Sequence, residues 1–191
     1  MSGVTSGMAD DSDAASRIPP RDRETGLVNV VIDTPRGSAN KYKYDETLRT
    51  FRISRLLPAG MHFPFDFGSV PGTCAEDGDP LDVLVLLDAP SFPGCLVTVR
   101  LIGGIRAKQR EGGRMIRNDR LIGVPETPVN PARIRSIRSL PESQLREIEH
   151  FFFAYNHAQG RELKITSQFG ASTALKLLAD AIRSHDRNQT R

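Results

Sequence analysis

Four carboxylates fall within seven residues at Glu76-Asp77-Gly78-Asp79-Pro80-Leu81-Asp82, with no lysine or arginine among them. The next five residues, Val83-Leu84-Val85-Leu86-Leu87, are aliphatic and predict a buried strand. Any fold for this chain must therefore hold an acidic turn at the mouth of a core strand. Gly78 lets the backbone turn. Pro80 fixes its own φ and extends Asp79, so Asp77 and Asp79 point the same way. Two carboxylates held roughly 6 Å apart repel by about 3 kcal/mol at an effective dielectric of about 20. Splaying into water, protonating one acid or binding a cation each relieves that. On these residues alone an acidic surface turn and a metal site both stand. A hard divalent ion such as magnesium suits the all-oxygen donor set.

The rest of the chain predicts many short strands followed by two helices. Residues 1–26 are rich in Ser, Asp, Gly, Pro and Ala without apolar periodicity, which predicts a disordered tail. Leu27–Ile32 predicts a strand that stops at the turn Asp33–Gly37. Lys41–Tyr44 and Thr50–Arg55 predict a hairpin through Asp45–Leu48. Cys95–Ile105 predicts a long strand with a bend or bulge at Gly103-Gly104, then a basic turn at Arg106–Gly113 and a returning strand over Met115–Pro125. Glu126–Pro131 predicts a linker. From Pro141, the spacing of Leu145, Ile148, Phe152 and Tyr155 predicts a helix ended by Gly160. Leu163–Thr166 predicts an edge strand, and Ala174–Ile182 a last amphipathic helix before a polar tail over 184–191. The order predicts an α+β, mostly β fold: a small barrel flanked by C-terminal helices, one domain over 27–183.

Composition narrows the function classes. At 191 residues the chain has room for one domain with a proper core. The cysteines, Cys74 and Cys95, make neither a disulfide framework nor a zinc spacing, which points to a reducing cytoplasm. No apolar run approaches the length of a membrane span, and the N-terminus has no apolar signal core. The net charge of +3 suits an anionic partner. No Gly-x-x-x-x-Gly-Lys loop is present, and nothing supports a Ser or Cys nucleophile. An EF-hand is excluded because Leu81 stands where an oxygen ligand is needed.

The acid–x–acid–Pro–apolar–acid run Asp77–Asp82 resembles the signature of the soluble family I inorganic pyrophosphatases, and neighbouring segments match in the same order. Val31–Pro35 is similar to that family's acid-bearing first strand, and Lys41-Tyr42 to its substrate-lysine strand. Arg55 is similar to its phosphate-binding arginine. Phe63–Gly68 resembles its aromatic loop, Leu121–Pro125 a strand end, and His150–Tyr155 the helix that ends in its substrate tyrosine. The resemblance covers roughly residues 27 to 183. It implies a five-stranded barrel of the OB kind and magnesium-dependent hydrolysis of inorganic diphosphate to two phosphates by a metal-activated water, in a homo-oligomer. It implies that Asp77, Asp82, Asp119 and Asp33 serve the metal ions and that Asp79 helps to activate the water. Lys41, Arg55, Tyr155 and Arg120 would then bind phosphate.

The chain departs from that family at several positions. Lys43 stands where the family carries an acid, Phe63 and Phe67 where it carries tyrosines, and Asn156 where it carries a lysine; Arg120 stands for a lysine. The loop at Arg110–Arg114 lacks an aspartate unless Glu111 replaces it. The next acid falls on Asn118 in an ungapped match and on Asp119 after a one-residue shift. These departures leave open a relative that acts on another phosphoanhydride or only binds phosphate. An OB-type nucleic-acid binder is a third reading, supported by seven bases against two acids over residues 100–120. The absence of any aromatic in that stretch argues against it.

Overall fold

The computed structural model describes residues 18–126 and 133–190. Its strands are β1 (Val28–Thr34), β2 (Asn40–Asp45), β3 (Thr50–Leu56), β4 (Asp66–Val70), β5 (Leu81–Val85), β6 (Leu96–Glu111), β7 (Arg114–Arg117), β8 (Arg120–Pro125) and β9 (Leu163–Gly170). Its helices are α1 (Glu142–His157) and α2 (Ala171–Gln189). β1 pairs with β4, β4 with β5, β5 with β8 and β8 with β6. β6 then returns to β1, closing five strands into the barrel that the sequence predicts. Closure leaves none of the five as a free edge. β2 and β3 form a separate two-stranded ribbon.

β6 is 16 residues long because it serves two sheets. Its first half closes the barrel, and its second half takes β7 and β9. The change of direction falls at the expected glycines, where the β6–β8 register shifts between Leu101 and Gly103. A Cβ on Gly104 would lie 2.5 Å from the Arg120 carbonyl oxygen, so only glycine lets the strands meet.

The basic turn expected at Arg106–Gly113 is mostly strand, and the chain reverses only at Gly112-Gly113. Ala107 and Gln109 face inward while Lys108 and Arg110 face out. A polar residue on the inner face hides that alternation from a hydropathy reading. The single strand expected over Met115–Pro125 is broken at Asn118-Asp119. There the Asp119 side chain, instead of a strand carbonyl, accepts from the Ala107 N–H at 3.1 Å.

Residues 1–17, and all of the 126–131 linker but Glu126, lie outside the described residues. Residues 18–26, placed with the tail from sequence, dock on β1: the Asn29 N–H donates to the Pro20 carbonyl and its Nδ2 to the Pro19 carbonyl, each at 3.0 Å. α2 runs to Gln189, through the segment expected to be a polar tail. That last stretch has no apolar stripe for periodicity to detect. Two apolar clusters fill the interior. One joins Phe63, Phe67, Ile122 and Ile148 under α1, and the other joins Val30, Val83, Leu121 and Leu178 under α2. Among the described residues no helix is long and apolar enough to cross a membrane.

Candidate active site

The acidic turn enters β5 through a fixed loop. Leu81 N–H donates to Thr73 Oγ1 at 3.0 Å, and that hydroxyl donates to the Val70 carbonyl at 2.6 Å. Ala75 N–H closes on the Asp79 carbonyl at 2.8 Å. Gly78, with φ of +87°, supplies the left-handed residue this reversal requires. The Asp77 carboxylate accepts from the Asp79 N–H at 3.3 Å, an Asx turn that sets the direction of the loop.

Three strands then bring acids together. Val31 of β1 lies opposite Ser69 of β4, which lies opposite Asp82 of β5. Asp33 follows at a register shift between Ile32 and Thr34, where β1 bulges. A bulge re-aims one side chain, and here it turns Asp33 toward Asp82 and the Ser69 hydroxyl. Burial, then the neighbouring Asp82 charge, push the Asp33 carboxyl up to about 7. Asp77 is also raised, chiefly by burial and further by Asp82 and Asp79. Asp33, Asp77, Asp79 and Asp82 thus form one electrostatic cluster.

The ribbon faces that cluster with cations. Lys41 pairs across it with Arg55, and a shift in register after Lys41 bulges the strand at Ser54. The ribbon is tied to β1 by the Tyr42 N–H, which donates to the buried Thr34 hydroxyl at 3.1 Å. Lys41 Nζ lies 4.9 Å from the ring centre of Phe67 and 5.8 Å from that of Tyr155, a cation held over aromatic faces. Arg55 Nη1 donates to the Tyr155 hydroxyl at 3.4 Å and to Gln159 Oε1. Lys41, Arg55 and Tyr155 therefore meet. Lys43 Nζ reaches Asp79 Oδ1 at 3.1 Å.

Two expected site residues take other roles. Asp119 is nearly buried and spent on structure, accepting from Ala107 N–H and pairing with Arg117 at 2.6 Å. It does not join the cluster. Asn118 is the one that does, since its Oδ1 and Asp82 Oδ2 share Nη1 of Arg120, the latter at 2.8 Å. Arg120 is 8% exposed and its guanidinium lies 5.9 and 5.4 Å from the ring centres of Phe67 and Phe152. It is a counter-ion to Asp82 more than a free phosphate ligand. Asn156 is buried, with Nδ2 on the Phe152 carbonyl at 2.8 Å, and points into the helix packing. Phe63 and Phe67 complete an aromatic floor with Phe151, Phe152 and Tyr155. The side chain of Glu111 lies outside what the structure describes. Sequence reasoning missed Ser69 beside Asp33 and Gln159 beside Arg55. Both are polar residues of ordinary type whose roles come from cross-strand register and from the end of α1.

Whether these residues suit a divalent cation follows from their donors. Among the described residues no three acid, histidine or cysteine side chains surround one point. The cluster's acids are nevertheless all oxygen donors, and its two raised carboxyls record burial first, with the neighbouring Asp82 charge adding to it. One or two carboxylates with water and substrate oxygens are the usual ligands of magnesium. Taken one or two at a time, Asp33, Asp77 and Asp82 offer the oxygen ligands that a cation of that kind takes, with water and substrate supplying the rest.

The comparisons with known proteins agree with this geometry. The family model for inorganic pyrophosphatase matches residues 30–186. The chain is similar to the inorganic pyrophosphatase of Synechocystis sp., 35% identical over 170 residues, which covers 89% of this chain and 98% of that protein. It is 37% identical over 163 residues to the inorganic pyrophosphatase of Geobacillus stearothermophilus, covering 85% of this chain and 96% of that one. The crystal structure of inorganic pyrophosphatase from Thermus thermophilus superposes with a TM-score of 0.81 at 34% identity, covering 91% of this chain and 99% of that one. With the ring of five strands, the cluster at its mouth and a likeness over nearly the whole chain, this protein belongs to the inorganic pyrophosphatase family.

Proposed function

We propose that the protein hydrolyses inorganic diphosphate to two phosphates with magnesium as its metal. The reading is carried by one arrangement: the cations of the β2–β3 ribbon face Asp33 of β1, Asp82 of β5 and the turn before β5, with Lys43 Nζ 3.1 Å from Asp79 Oδ1 of that turn. Asp82 also meets the buried Arg120 at 2.8 Å, and Asp33 feels the charges of Lys41 and Lys43, which a turn facing only bulk solvent would not show. Diphosphate is a polyanion, and its own charge shields the P–O–P bond from attack. Carboxylates from among Asp77, Asp82 and Asp33 would hold a divalent ion, which when bound would neutralise part of that charge and lower the pKa of a water. Lys41 and Arg55 hold oxygens of the departing phosphate and absorb the charge that grows on it. Tyr155 holds the Arg55 guanidinium and offers its hydroxyl to the same anion. Asp79 lies at the open end of the cluster, where its carboxylate takes a proton from the attacking water. Arg120 fixes Asp82 and stays in place.

The test is phosphate release by purified protein with magnesium, comparing diphosphate with nucleoside triphosphates. Release from diphosphate alone supports the proposal. Release from triphosphates in preference, or none from either, overturns it.

A further inference from the structure

The two ion pairs of the cluster differ in how firmly they are held. In Arg120–Asp82 the side chains are 10% and 23% exposed, at 2.8 Å. Arg120 is further held by the carbonyls of Asn118 and Asp119 at 3.2 and 3.3 Å, and by the two aromatic rings. It cannot leave Asp82 without stranding a buried charge. In Lys43–Asp79 the side chains are 62% and 65% exposed. That pair is solvated, screened by salt and free to open. The Lys43 ammonium nonetheless rests on a carboxylate that belongs to the cluster, at the end nearest solvent. Lys43 also contributes to the electrostatic surroundings of Asp33, so its charge is felt beyond Asp79.

We propose that Lys43 is an exchangeable counter-ion for Asp79, which competes with a divalent cation for the acidic cluster and weakens its binding while diphosphate is absent. The proposal rests on the reading of the site as a diphosphate-hydrolysing one. A cation entering the cluster must displace the ammonium or accept a site that already carries its positive charge. A bound polyanion offers Lys43 an alternative partner, since its flexible stem on β2 projects beside Lys41. Release of Lys43 toward the anion then frees Asp79. Metal and diphosphate bind in support of one another for that reason, with Lys43 acting as a positioning residue that passes between two anions.

The experiment is a calorimetric titration of the full chain with magnesium chloride, without diphosphate, at low and at about 0.5 M potassium chloride, where screening is strong. Lys43→Gln is expected to bind magnesium about two- to fivefold more tightly than the wild type at low salt, in line with an exposed pair. Lys43→Glu, which adds a carboxylate at the same place, is expected to gain about tenfold or more. High salt should narrow the Lys43→Gln advantage. Lys164→Glu on β9 makes the same change of net charge away from the cluster and should leave the affinity unchanged. Equal affinity in wild type and both Lys43 variants, or equal tightening by Lys164→Glu, overturns the proposal. Phosphate release by the wild type is measured on the same preparation. Turnover without a Lys43 effect sinks only the counter-ion role. A missing turnover sinks the diphosphatase reading, and the magnesium titration still decides on Lys43.

Discussion

Replacing Asp33 by Asn tests the charge balance of the cluster directly. The fold holds the Asp33 carboxyl at about 7 against an ordinary 3.8. The native state therefore keeps its proton where the unfolded chain has already lost it. The sign follows from linkage: between about pH 4 and pH 7 the native state binds more protons, so stability falls as pH rises through that window. Below it both states are protonated and no penalty exists; above it the penalty is complete. About three decades of proton affinity at roughly 1.4 kcal/mol each give a ceiling of about 4 kcal/mol. Asp33 keeps some contact with solvent, which brings the expected figure to about 2–4 kcal/mol. The substituted amide keeps an acceptor for Ser69 and removes the charge. In urea denaturation followed by circular dichroism with EDTA present, Asp33→Asn should match the wild type near pH 4 within about 0.5 kcal/mol and exceed it by about 2–4 kcal/mol at about pH 8. Saturating magnesium should shrink that excess, because a cation neutralises the wild-type carboxylate. A variant no more stable than the wild type at that alkaline pH without metal would refute the argument that Asp33 is a buried carboxyl held beside the Asp82 charge.

Three further outcomes follow from the same geometry. Lys41→Met should lower kcat/KM for diphosphate by about 10- to 150-fold, the worth of one hydrogen bond to a charged group, while leaving the urea midpoint almost unchanged. Gly68→Ala places a Cβ 2.3 Å from the Val31 carbonyl oxygen and 2.9 Å from Val30 Cγ1, so β1 and β4 must separate; a thermal melt should show a loss of about 3 kcal/mol or more. Removal of divalent ions with EDTA should abolish phosphate release, and added magnesium should restore it; release that persists in EDTA would contradict a metal-dependent reaction.

The barrel and the acids were legible in the sequence for a physical reason. Val83–Val85 is a short apolar run with no competing period, and Asp77–Asp82 combines Gly, Pro and acids in one reading of the backbone. Lys41, Arg55 and Tyr155 are 14 and 100 residues apart along the chain, and composition alone left them as ordinary solvated strand ends or core. Only their ordered likeness to a family brought them together, and the β2–β3 register and the position of α1 then gave the contact. Asn118 and Asp119 were undecidable because side chains on a strand alternate: a one-residue ambiguity exchanges the two faces. The broken ladder at Ala107 resolved it, and no pattern in residues 115–125 announces that break. Lys43 and Arg120 were visible as residue types but not as partners, since an ion pair depends on where two strands cross.

The β2–β3 ribbon is hydrogen-bonded within itself and stands apart from the barrel sheet. It carries the lysines and Arg55, while the barrel carries the aspartates. Apart from Arg120 of β8, the two charges of the opening thus ride on separate pieces of backbone, joined by bonds that include the one from the Tyr42 N–H to the Thr34 hydroxyl. A substitution that loosens this joint, such as Thr34→Val, would alter the grip on an anion and leave Asp77 and Asp82 in place, so the ribbon can be tuned apart from the acidic turn.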